Sequence, residues 1–409
     1  MTAPAPWERT ARGALLLDDS GRLATTIFAE MSALAAETGA VNLGQGFPDE
    51  DGPREVLDAA HAALDAGLNQ YPPGRGTPEL RAAVAAHQQR FYGLVVDPDR
   101  EVLVTAGATE ALAATLLAFV DEGDEVLTLE PFYDAYGAVV GLTRGTHRTV
   151  PLRGPDFRLD HDELRAAFSD ATRVVLVNDP HNPTGSVLDD DARRLLVELA
   201  ERHDALIVTD EVYEHLLFDG RRHVPIATLP GAAERTLSIS SAGKTFSVTG
   251  WKIGWVTGPA ELVSQVLTVK QYLTYVNGSV FQPAVAVGLG LPDEWFARTA
   301  AVLQAKRDLL SAGLRAAGFD VAPSAGSYFV VADARPLGVD DAAAICRRLP
   351  ELVGVVGVPV SAFCRPALAR EHASLVRFAF CKTTDVLERA SDQLSGLPRA
   401  LAAGAPRPS

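Results

Sequence analysis

Short apolar, β-branched runs alternate with longer helical patterns through the first two thirds of the chain. "EVLVT" (101–105) leads into "TEALAATLLAFV" (109–120) and "DEVLTL" (124–129). Further on come "RVVLVN" (173–178), the helical "DDARRLLVELAERH" (190–203), "ALIVTD" (205–210) and "TLSIS" (236–240). Near-continuous apolar strands separated by helices predict a mostly parallel central sheet with helices on both faces, because only a strand covered on both sides can be apolar at every position. After residue 258 the pattern shifts to long helices at 259–275 and 293–317. A second, smaller α/β unit follows, with strands "SYFVVAD" (327–333) and "LVRFAF" (375–380) and helices "DDAAAICRRL" and "TDVLERASDQL". The expected division is an N-terminal arm with a small-domain segment at 1–45, a large domain at 46–291 and a small C-terminal α/β domain at 292–409.

Length and composition narrow the function classes. A chain of 409 residues exceeds what one core usually holds and fits two domains. Its 47% hydrophobic and 22% charged residues are those of an ordinary globular protein. The net charge of -15 argues against nucleic acid, whose affinity needs clustered Lys and Arg. No uncharged run approaches the ~18 residues of a membrane span. Cys346, Cys364 and Cys381 lie far apart without a CxxC pair, so a reducing, cytoplasmic setting is expected. The nine histidines show no zinc spacing, and no metal is expected. The Pro/Ala-rich ends, "TAPAP" and "AAGAPRPS", are expected to be loose.

In a parallel sheet, ligands sit at the carboxyl ends of the strands. Here those ends carry chemistry: Asp210 closes "ALIVTD", Asn178 closes "RVVLVN", Lys244 follows "TLSIS", and Ala106-Gly107-Ala108 turns "EVLVT" into a helix whose N-terminal amides suit an anion. The "GKT" around Lys244 is not a nucleotide phosphate loop, because Ser238 stands where that loop requires glycine. Four adjacent strand ends are thus expected to offer a carboxylate, an amide, a lysine and a phosphate cradle. That set meets the needs of pyridoxal 5′-phosphate: a lysine for its aldehyde, a carboxylate for its ring nitrogen, and an amide with a phenol for its ring hydroxyl.

The motifs "SSAGKTFSVTGWKIGW", "DEVYEH", "PHNPTG", "NLGQGFPDEDGP" and "NQYPPGRGTPELR" together resemble the class I/II pyridoxal-phosphate aminotransferases of fold type I. The nearest branch is the kynurenine, glutamine and methionine aminotransferases, and within it the actinobacterial succinyldiaminopimelate enzymes. The resemblance implies that Lys244 is the covalent anchor and the acid/base, with Asp210 on the pyridine nitrogen and Tyr213 and Asn182 at the ring hydroxyl. Tyr133 would stack on the ring. Backbone of Ala108 and Thr109, with Ser241 and Lys252, would hold the phosphate, joined by Tyr71 from a partner subunit. Arg377 would grip the substrate α-carboxylate, Gly46 and Asn182 would lie beside the substrate, and Tyr275 would reach in from the neighbouring subunit. A homodimer with shared sites is therefore implied, moving an amino group between an L-amino acid and a 2-oxo acid by a ping-pong route. The alternatives within the branch are kynurenine, glutamine or methionine as donor, or a cysteine-conjugate C–S β-lyase. Arg75 is a candidate for a distal substrate carboxylate, and Asp179 has no assigned consequence.

Overall fold

The computed structural model describes residues 4–17 and 20–404. The Pro/Ala-rich ends fall partly outside that range. The first strand, β1 (Val41–Asn42), belongs to the small domain. The large domain is built on eight strands: β2 (Val102–Thr105), β3 (Glu125–Glu130), β4 (Thr146–Arg153), β5 (Arg158–Leu159), β6 (Thr172–Asn178), β7 (Leu206–Asp210), β8 (Thr236–Ser241) and β9 (Gly254–Thr257). Their spatial order is β2-β9-β8-β7-β6-β3-β4-β5.

The pairs β8/β7, β7/β6, β6/β3 and β3/β4 are parallel. β9 runs antiparallel to both β2 and β8, and β5 runs antiparallel to β4. β2 and β8 therefore point the same way with β9 between them. This corrects the expectation of four adjacent strand ends: those of β6, β7 and β8 are adjacent, while that of β2 lies one strand further on.

The apolar runs are continuous because both faces are covered. On β6, Val175 and Val177 pack with Leu195, Leu196 and Leu199 of helix Asp190–Arg202, while Val174 and Leu176 pack with Ala111, Leu112 and Leu116 of helix Gly107–Phe119. Each such buried aliphatic side chain contributes roughly 1.5–3 kcal/mol. Helix Asp190–Arg202 starts where Asp189 caps it, its carboxylate accepting from the Ala192 amide at 2.7 Å.

The expected helix over 259–275 is shorter. It spans Ala260–Lys270, and the chain then leaves the axis. The buried Lys270 ammonium donates to the carbonyl of Gly74 at 3.1 Å and to that of Tyr275, which folds 271–275 back as a loop with Tyr275 at φ 63°.

Helix Asp293–Ala316 leads into the small domain. Its antiparallel sheet has the order β10 (Asp320–Val321), β11 (Phe329–Asp333), β14 (Leu375–Ala379), β13 (Val358–Pro359). β12 (Val355–Val356) pairs in parallel with β1. Met31 and Leu43 share one core with Val330, Phe378 and Phe380, so the N-terminal segment packs as part of this domain. Among the described residues no helix is long and apolar enough to cross a membrane.

Candidate active site

The carboxyl ends of β6, β7 and β8, the start of helix Gly107–Phe119 and one residue of β14 converge on a cavity of about 380 Å³. Every site residue implied by the sequence lines it except Tyr71, Tyr275 and Arg75. The two tyrosine rings pack edge to face on the surface with centroids 5.6 Å apart, and Tyr71 is 81% exposed. Arg75 donates instead to the Arg100 carbonyl at 3.2 Å and to Ser264 at 2.9 Å.

Asp210, the last residue of β7, is buried. Its Oδ2 accepts from the Tyr136 hydroxyl at 2.6 Å, and its Oδ1 lies 3.4 Å from the Val212 amide. Burial raises its pKa to about 6, against the pull of these two donors and of Lys244. The side-chain amide of Asn178, one strand over, donates to the Asp210 carbonyl at 2.8 Å and fixes the β6/β7 edge.

Lys244 sits in the single helical turn Ala242–Thr245 that follows β8. Its Nζ lies 3.4 Å from the Gly46 carbonyl and 5.5 Å from the centre of the Tyr328 ring. Burial lowers its pKa, with Cys381 and Asp210 opposing the shift. An amine of lowered pKa and a carboxylate of raised pKa in one cavity mark a candidate site for proton transfer.

The Gly46 carbonyl also accepts from the Tyr328 hydroxyl, and a methyl at Gly46 would lie 2.6 Å from Phe329. Only glycine permits this approach. Tyr213 is buried edge to face against Tyr328 at 5.1 Å, and burial raises its phenol pKa.

The anion end is equally crowded. Helix Gly107–Phe119 has no side-chain cap, so its first amides face the cavity unclaimed. Gly254 of β9 pairs with both Thr105 and Ser241, and a methyl there would lie 2.6 Å from the Gly107 carbonyl carbon. A bare β9 thus lets Ser241 and the helix start share one wall. Lys252, in the left-handed conformation at φ 55°, completes it, its Nζ 3.3 Å from where a Gly107 side chain would begin.

Arg377 of β14 reaches the cavity from the small domain, fully buried. One terminal nitrogen donates to Asn182 Oδ1 at 3.0 Å and the other to the Gly44 carbonyl at 2.7 Å, leaving Nε without a partner among the described residues. Its guanidinium lies 4.1 Å from the Phe329 ring centre and 4.7 Å from that of Phe363. Burial lowers its pKa to about 10, so it remains a cation.

Tyr133 precedes helix Asp134–Thr143 and lines the cavity, and burial raises its phenol pKa to about 12. Thr109 also lines the cavity. Asp179 serves the structure and not the cavity. Its carboxylate binds the buried Arg193 at 2.9 Å and the Leu188 amide at 3.1 Å, tying the "DPHNPTG" loop to the next helix. His181 faces away from the cavity and bonds Thr184 at 2.7 Å.

Tyr136, Phe28, Tyr328 and Phe329 were missed by sequence reasoning. A signal existed for two of them. Tyr136 follows Tyr133 by three residues, one turn along the same helix face. Phe329 precedes Val331, which is paired with Arg377, and strand alternation puts it on the guanidinium's face.

The sequence model for the family "Aminotransferase class I and II" matches residues 38–394. A relative from Mycobacterium tuberculosis, named a probable N-succinyldiaminopimelate aminotransferase, is 54% identical over 91% of this chain and 96% of its own. The methionine aminotransferase of Escherichia coli is 37% identical over 92% of this chain and 97% of its own. The solved structure of N-succinyldiaminopimelate aminotransferase from Mycobacterium tuberculosis superposes with a TM-score of 0.90 at 51% identity, covering 97% of this chain and 100% of that one.

Proposed function

The chain belongs to the class I and II aminotransferases, and from that premise we propose that its cavity binds pyridoxal 5′-phosphate and transfers an amino group from N-succinyldiaminopimelate to 2-oxoglutarate. One observation carries the cofactor assignment. A buried carboxylate, Asp210, faces the cavity with only neutral hydrogen-bond donors, while the half-buried Lys244, an uncapped helix start and Lys252 face the same space. A cationic ring nitrogen opposite Asp210, an aldehyde at Lys244 and a phosphate at Ala108, Thr109, Ser241 and Lys252 satisfy all four.

When bound, the cofactor supplies an electron sink for charge developing at the substrate Cα. The protein's own residues do the rest. Asp210 presents the counter-charge that keeps the ring nitrogen protonated. Tyr213 and Asn182 would hold the ring through its hydroxyl, and Tyr133 would pack against it. Arg377 holds the substrate carboxylate with a planar fork, already aimed by Asn182 and Gly44, which fixes the Cα–H bond relative to Lys244. Lys244 Nζ, as a free amine, would take the proton from Cα, with the Gly46 carbonyl 3.4 Å away to restrain it. A positioned base of this kind contributes about 10²–10⁴-fold. Uptake of one water would release the oxo acid with the amino group retained in the site, and an incoming 2-oxo acid would accept that group by the reverse sequence, returning the water.

Two further assignments go with this reading. The exposed, mutually packed Tyr71 and Tyr275 suit side chains that complete a partner's cavity, so we take the working unit as a homodimer. The three cysteines are free and buried, which suits a cytoplasmic enzyme.

The test is a donor panel scored by oxo-acid formation, with borohydride trapping and peptide mapping of the cofactor. The expected label is on Lys244, and the expected best donor is N-succinyldiaminopimelate. Label on another lysine would overturn the site. Preference for kynurenine, methionine or glutamine would overturn the substrate, and pyruvate with ammonia from a cysteine conjugate, without an acceptor, would mark a β-lyase.

A further inference from the structure

Asp210 touches few groups capable of setting its charge. From β7 and the turn after it come the Val212 amide, the carboxylate of Glu211 and the Tyr213 phenol; from the helical turn after β8 comes Lys244; from helix Asp134–Thr143 and its N-terminus come Tyr136 and Tyr133. Of these, Tyr136 makes the short contact, 2.6 Å from hydroxyl to Oδ2. The Val212 amide is on the other oxygen at 3.4 Å, too long to dominate. Tyr136 is itself 3% exposed, and Asp210 is the partner its hydroxyl serves.

We propose that Tyr136 is a positioning residue that holds Asp210 ionised and aimed at the cofactor ring nitrogen, acting through Asp210 and not on the substrate. The inference rests on the pyridoxal-phosphate reading above. A phenol is the right donor for this place. It stabilises the carboxylate without neutralising it, so the full negative charge remains for the ring nitrogen, whereas a cation at the same point would compete with that nitrogen. Its place is set by helix geometry: Tyr133 at the helix start faces the cavity, and Tyr136, one turn later, lies beneath it with the two rings edge to face at 5.7 Å. One short helix therefore contributes both a ring-stacking side chain and the support of the ring's counter-charge.

The test compares wild type, Tyr136→Phe, Asp210→Asn and the double variant. In cofactor-free protein, the infrared carbonyl band of protonated Asp210, recognised by its absence from Asp210→Asn, is followed against pH. Removing a hydrogen bond to a charged group should move its midpoint upward by about one pH unit. Binding is then measured with pyridoxal phosphate and with its carbocyclic analogue lacking the ring nitrogen. Tyr136→Phe should weaken pyridoxal phosphate about tenfold and the analogue little. In the Asp210→Asn background it should do neither. An unmoved infrared midpoint, or equal weakening of both ligands, would overturn the proposal, because that is how a packing residue behaves. If wild type itself fails to prefer pyridoxal phosphate over the analogue, the cofactor reading fails, while the infrared result still decides what Tyr136 does to Asp210.

Discussion

The turn that follows β7 divides the residues of "DEVYEH" between two environments. Asp210 and Tyr213 face the cavity; Glu211 and Glu214 face a polar layer behind it, where Glu211 accepts from Thr209 at 2.7 Å and Glu214 from Tyr92 at 2.6 Å and from Ser240. In that layer His87 and His215 bring their Nε2 atoms to 2.7 Å. That is a hydrogen bond between neutral rings, shorter than the ~3.3 Å between two nitrogens on one tetrahedral zinc. Asp210 gives a pH prediction. Its folded pKa, about 6, lies above the ordinary value because burial disfavours the charge. Its contribution to stability is complete below the unfolded pKa and is lost as pH rises through the folded one. Cofactor-free Asp210→Asn should therefore match wild type near pH 4 and exceed it above pH 7 by an amount on the order of 2–3 kcal/mol. Tm against pH reads this directly, and equal curves for the two proteins would refute it. At Arg377, lysine keeps the charge but cannot reach Asn182 and Gly44 together. Arg377→Lys should raise KM for donor and acceptor roughly 10–100-fold, the worth of one charge-assisted hydrogen bond. Unchanged KM values would remove Arg377 from substrate binding.

At the scale of elements, the strands were legible because their apolar continuity has one explanation, and the lysine, carboxylate and amide were legible because they end those strands. β9 was not. Its first two residues, Gly254 and Trp255, close the lysine motif and read as part of it, and a buried antiparallel strand has the same apolar signature as a parallel one. The consequence is physical, since β9 is what brings Ser241 and Gly107 together through the bare backbone of Gly254. Gly254→Ala should push the helix start away, costing about 1–3 kcal/mol of stability and weakening phosphate retention. Equilibrium unfolding and cofactor dialysis check it, and a variant that keeps both would show that the wall tolerates a methyl. The early end of the helix at Lys270 was also hidden, because the carbonyls that capture the Lys270 ammonium come from residues 74 and 275.

For the whole molecule, the division of labour runs between domains. Arg377 comes from the small domain, Lys244 and Asp210 from the large one, and Tyr71 is exposed on the chain that carries it. If Tyr71 serves the partner's cavity, Tyr71→Ala and Lys244→Ala homodimers should each be impaired. Mixing them should restore about a quarter of wild-type activity, because half the dimers are mixed and each holds one intact site. No recovery on subunit exchange would place Tyr71 in its own chain's site or in neither. Apart from the family resemblance, nothing in the sequence marks Tyr71 for such a role, since a side chain that would serve a partner looks like any other tyrosine.

The central claim is that this cavity moves an amino group in two separable halves. Pyridoxal-phosphate-loaded protein mixed with excess N-succinyldiaminopimelate, without any 2-oxo acid, should release one equivalent of oxo acid per protomer, convert the cofactor to its amine form and stop. Lys244→Ala should release none. Absence of oxo acid with every amino donor tried, or turnover that continues without an acceptor, would contradict the account.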